Sequence, residues 1–77
     1  MEVGVPLTCP LTPRQTEAVV AAARGLTNAE IAREMGVSEH TIKNFMTEAH
    51  HRSETENRPH LVAKAIVERW IDPGTLF

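Results

Sequence analysis

A chain of 77 residues supports one small domain, near the lower limit for a fold without disulfide or metal staples. Its eight Lys and Arg face ten Asp and Glu, a net charge of −2, so the broad basic footprint usual in DNA binders is missing and non-specific phosphate affinity is expected to be weak. The single Cys9 closes no disulfide within the chain, no apolar run approaches a membrane span, and the N-terminus lacks a signal-peptide layout; a soluble, cytoplasmic protein is expected.

Residues 1–11 hold two prolines and a glycine without helical period, and read as an extended N-terminal arm. A first helix opens at Thr12-Pro13-Arg14-Gln15. Thr12 caps it, Pro13 suits the first helical position, and Gln15 completes a capping box. Val19, Ala22, Ala23 and Leu26 follow at helical spacing, with Gly25 as the stop. Thr27 and Glu30 form a second capping box, opening a short helix that ends near Met35.

Asn28 to Met46 then spells a helix-turn-helix. Ile31, Met35, Val37, Ile42 and Phe45 are apolar where two short helices crossing steeply must touch, and Ala32 is small where the helices lie closest. Gly36 falls at the turn, where positive φ is easiest without a Cβ. Ser38 caps the third helix, about 38–52, with Ile42, Phe45, Met46 and Ala49 as its inward stripe; no strong breaker from Ala49 to Asn57 defines its end. Such a unit lays its second helix in the DNA major groove.

Pro59 marks the first turn of a fourth helix running to about Trp70. Leu61, Val62, Ala65 and Ile66 form one apolar face, and Ala63, Val67 and Trp70 a second. Asp72-Pro73-Gly74 stops it. The expected organisation is an arm (1–11), one all-α helix-turn-helix domain (12–71) and a tail (72–77) ending in apolar Leu76 and Phe77.

The run LTPRQTEAVVAAARGLTNAEIAREMGVSEHTIKN resembles the DNA-binding domain of LuxR/GerE (NarL-type) regulators, and NRPHLVAKA extends the likeness into the fourth helix. Region 4 of sigma factors is similar more distantly. The resemblance implies a four-helix domain acting as a stand-alone, sequence-specific duplex-DNA-binding transcription regulator. Its third helix would read the major groove and its fourth would pair with a second copy.

By that resemblance, bases are approached by Lys43, Asn44 and Thr47, with His40 beside them. Asn pairs bidentately with adenine, and Lys donates to guanine or phosphate. Thr27, Asn28, Ser38 and Thr41, at helix starts, are expected on phosphates with His51 and Arg52. Leu61, Ala63, Val67 and Trp70 are the expected dimer interface. The chain departs from the family pattern at Phe45 and Glu48, where histidine and asparagine are usual. It departs again at Arg52-Ser53-Glu54-Thr55, where a Lys-Leu-Gly-Val corner is usual.

A second reading keeps the fold but gives it a protein partner. The acidic balance, with Glu39 and Glu48 near the reading face, suits a module that binds a transcription factor, sigma factor or polymerase through the apolar fourth helix. No enzyme, cofactor or metal site is expected. Glu30 is a capping residue, Ser38 has no paired base and acid, and His50 and His51 point about 100° apart on a helix.

Overall fold

Every helix opens on a side chain that accepts a hydrogen bond from its own first turn. The computed structural model describes residues 9–75; residues 1–8 of the expected arm and Leu76 and Phe77 of the expected tail lie outside the described residues. Helix α1 spans Pro13–Ala23, α2 Asn28–Met35, α3 Glu39–Ser53 and α4 Arg58–Val67, before a 3-10 turn at Pro73–Thr75. Among the described residues all regular structure is helical, which makes this an all-α four-helix domain. Thr12 and Thr27 close full capping boxes with Gln15 and Glu30, Ser38 caps α3, and Asn57 caps α4.

The helix ends share one device. After each helix the chain steps through a left-handed residue, and the next residue's N–H reaches back to a carbonyl five residues earlier. Leu26 N donates to Ala21 O, Val37 to Ala32 O, Thr55 to His50 O and Trp70 to Ala65 O, at 3.2, 3.0, 3.1 and 2.8 Å. The left-handed residue is Gly25 (φ 92) and Gly36 (φ 72) for α1 and α2, but Glu54 (φ 59) and Arg69 (φ 63) for α3 and α4. The residue that follows is turned onto the core each time: Leu26 and Val37 pack against it, and Thr55 and Trp70 are buried.

This device corrects the expected end of α4. The helix closes at Val67 rather than near Trp70, and the turn through Glu68 and Arg69 carries the indole inward until 8% of it is exposed. Trp70 therefore does not lie on a helical seam with Ala63 and Val67. Leu61 is also removed from the expected dimer interface, being fully buried. Leu11, assigned to the arm, is a core residue.

Leu11, Ala18, Val19, Ile31, Ala32, Ile42, Met46, Ala49, Leu61, Ala65, Trp70 and Ile71 make one continuous core. Burying each large aliphatic side chain contributes about 1.5–3 kcal/mol before entropy is subtracted. Ala18, Ala22, Ala32 and Ala49 let backbones approach closely, so α3 packs on both α1 and α2 while α4 lies chiefly on α1.

Candidate nucleic-acid interface

Burial of one side of α3 fixes what its other side presents. With Ile42, Met46 and Ala49 inward, His40, Lys43, Asn44, Thr47 and His51 fall on the opposite stripe at i, i+3, i+4, i+7 and i+11, and all five are exposed. Phe45, at the edge, is half-buried against the core. Among the described residues, neither the Lys43 nor the Asn44 side chain is tied to a neighbour by a hydrogen bond or ion pair. Thr47 differs. Its Oγ1 donates to Lys43 O at 3.0 Å, so the hydroxyl faces outward as an acceptor beside its methyl group.

The residues expected on phosphates divide into two sets. Thr27, Ser38 and Thr41 stand at the starts of α2 and α3. Thr27 Oγ1 accepts from Glu30 N at 3.2 Å, and Ser38 Oγ accepts from Thr41 N at 3.0 Å. Ser38 and Thr41 also share a hydroxyl hydrogen bond of 2.9 Å, which leaves one hydroxyl hydrogen between them for an outside acceptor. His51 is exposed beyond Thr47.

Asn28 and Arg52 are engaged within the chain. Asn28 Oδ1 accepts from Arg58 Nη2, while Arg58 Nη1 reaches Leu26 O at 3.3 Å. Arg52 Nε donates to Glu48 Oε2 at 3.0 Å, and its Nη1 donates to Pro10 O at 3.2 Å. Arg52 nevertheless stays exposed at the surface of α3. Its guanidinium neutralises Glu48, the carboxylate that departs from the family pattern, and ties residue 10 to α3. Glu39 sits in the first turn of α3, where the helix dipole favours a carboxylate.

His50 belongs to the α3–α4 corner instead of the exposed stripe. Its Nδ1 pairs with Thr55 Oγ1 at 2.9 Å, and Thr55 Oγ1 in turn pairs with Ser53 Oγ at 2.9 Å. Ser53 Oγ donates to Ala49 O at 2.6 Å, and Lys64 Nζ caps Ser53 O at 2.6 Å. Burial, then the nearby charges of Arg58 and His60, hold the His50 imidazole below the ordinary histidine value of 6.5. The corner is thus built from satisfied polar groups where the family pattern has apolar ones.

Sequence reasoning missed Arg58 and Lys64, which act between helices. One local sign was available for Arg58. It occupies the first position of α4, where the helix dipole disfavours a cation, so it is held there by partners elsewhere. Away from α3, an open apolar groove of about 720 Å³ runs between α1 and α2, floored by Leu11, Val20, Ala21 and Met35. The Arg14–Glu17 and Arg24–Glu34 ion pairs stand at its rim. Among the described residues no cluster of three His, Cys, Asp or Glu is placed to hold a metal, and no helix is long and apolar enough to cross a membrane.

The model of a family described as bacterial regulatory proteins, luxR family (GerE) matches residues 9–65. That span runs from the start of the described chain into α4 and includes the whole helix-turn-helix. Among curated proteins the chain has no match.

Proposed function

The chain belongs to the luxR family of bacterial regulatory proteins, whose domains bind DNA and are not enzymes, and on that premise we propose that it regulates transcription by reading duplex sequence with the exposed stripe of α3. The observation that carries this reading is the stripe itself. His40, Lys43, Asn44 and Thr47 project from a helix whose opposite face is locked into the core, at the spacing a major groove admits. Lys43 supplies a donor for guanine or phosphate, Asn44 a donor and acceptor for adenine, and Thr47 an acceptor and a methyl group. Thr27, Ser38 and Thr41 would set the register against phosphates, with backbone N–H groups of α2 and α3 alongside.

The slightly acidic balance fits a protein that relies on base contacts more than on bulk charge. Glu48 is neutralised by Arg52, so it does not oppose the phosphates as an isolated charge.

Pairing of two copies is read for α4, through a smaller surface than the sequence suggests. Val67 is 77% exposed and Ala63 lies one turn before it on the same face. With Trp70 and Leu61 in the core, that seam is shallow. Pairing is therefore expected on two half-sites about one DNA turn apart rather than in free solution.

Selection of a site from random duplexes, followed by affinity measurement, tests the reading. Lys43→Ala and Asn44→Ala should each cost about tenfold in affinity for the selected site and leave the helical circular dichroism unchanged. Variants that bind as the parent does would rule out α3 as the reader. Val67→Glu should abolish cooperative binding to a two-half-site duplex while sparing a single half-site. A protein-partner role predicts instead no selected sequence at all.

A further inference from the structure

Arg58 lies outside the helix-turn-helix, yet it grips both sides of the step from α1 into α2. One guanidinium nitrogen reaches Leu26 O at 3.3 Å and the other reaches Asn28 Oδ1, across 32 and 30 residues of sequence. An arginine has donors only, so the Asn28 carboxamide must turn its oxygen toward Arg58. Its Nδ2, with two N–H donors, is then held on the other limb of the amide. Asn28 is the first residue of α2, beside the unpaired N–H groups and the positive end of the helix dipole. Without Arg58 that carboxamide can present either end.

We propose that Arg58 is a positioning residue for DNA binding: by holding Asn28 Oδ1 it presents the Asn28 amide donors to a backbone phosphate, and it makes this contact depend on the docking of α4. The proposal rests on the reading of α2 and α3 as the DNA-facing helices. Arg58 does not itself touch the nucleic acid. It is half-buried, and its own charge is spent on a carbonyl and an amide oxygen of the same chain. The arrangement also explains why a cation persists at the start of α4 against the helix dipole.

The test is a double-mutant cycle on the site selected by the parent chain, with affinity measured across a range of salt. Arg58→Ala and Asn28→Ala should each weaken binding about tenfold, as expected for a lost hydrogen bond to a charged group. The double variant should be no weaker than Asn28→Ala alone. The salt slope should stay at the parent value, because neither change removes a cation from a phosphate. A direct Arg58–phosphate contact would instead lower the slope by about 0.9 and overturn the proposal. Additive losses would also overturn it.

Asn28→Asp guards against a variant that fails to fold. It keeps an acceptor for Arg58 and removes the amide donors, so it should melt no lower than the parent and bind more weakly than Asn28→Ala. Parent-like binding by Asn28→Asp contradicts the proposal. A parent chain that binds no duplex overturns the DNA reading and this proposal together. Loss of binding in Lys43→Ala alone, with Arg58→Ala unaffected, overturns only this proposal.

Discussion

The two halves of the domain end their helices in the same geometry with different chemistry. In the first half, Gly25 and Gly36 take the left-handed step, and the apolar Leu26 and Val37 drop onto the core. In the second half, Glu54 and Arg69 take the same step against steric resistance, and Thr55 and Trp70 are buried behind them. The first half is stabilised by local rules that operate within a few residues. The second is held by what the turned residue finds when it arrives: a polar corner for Thr55 and the core for Trp70.

That difference can be broken experimentally, beginning with its largest consequence. Trp70→Ala should cost about 3–5 kcal/mol of stability, the loss expected for a buried aromatic side chain, whereas Val67→Ala should cost well under 1 kcal/mol. Chemical denaturation of the two variants checks this. Similar small effects from both would return Trp70 to the surface.

Next comes the polar corner. Thr55→Val keeps the shape but strips the partner from His50 Nδ1, while Ser53 Oγ keeps Ala49 O, and should destabilise by about 1–3 kcal/mol in thermal or urea melts. A variant as stable as the parent would show that an apolar corner, like that usual in the family, serves equally well.

The left-handed residues should respond with opposite signs. A Cβ at Gly36 meets nothing within 4 Å, so Gly36→Ala isolates the backbone cost, about 1 kcal/mol of destabilisation. Glu54→Gly should stabilise by up to about 1 kcal/mol, because it relieves a non-glycine residue at φ 59. Equal signs would contradict the shared geometry.

The smallest effect concerns pH. The His50 value is lowered in the folded chain, so the unfolded chain takes up the proton first as pH falls. Stability should therefore be unaffected well above 6.5 and decline as pH drops from there through the lowered folded value. His50→Gln should flatten that part of the profile.

The same contrast explains what could be read from the sequence. Capping boxes at Thr12 and Thr27, the cap at Ser38, the first-turn Pro59 and the glycine stops are written within three or four residues, so four helix starts and two ends were legible. So was the α3 stripe, because helical periodicity places Lys43, Asn44 and Thr47 opposite Ile42, Met46 and Ala49. The end of α4 was not. Neither Glu68 nor Arg69 is a stop residue, and the turn is favoured because it buries an indole that local spacing had assigned to a helical seam. The commitments of Asn28, Arg52 and His50 were hidden for the same reason. Their partners Arg58, Pro10 and Thr55 are defined by packing, and Pro10 and Arg58 lie 42 and 30 residues away from theirs.

The central claim is that the exposed stripe of α3 meets DNA, and the most direct measurement is a titration of isotope-labelled chain with a selected duplex, followed by amide and side-chain nuclear magnetic resonance. The account predicts the largest shifts at His40, Lys43, Asn44 and Thr47, with a second group at Thr27, Asn28, Ser38 and Thr41. Shifts centred instead on the α1–α2 groove, at Val20, Ala21 and Met35, with α3 unmoved, would contradict it.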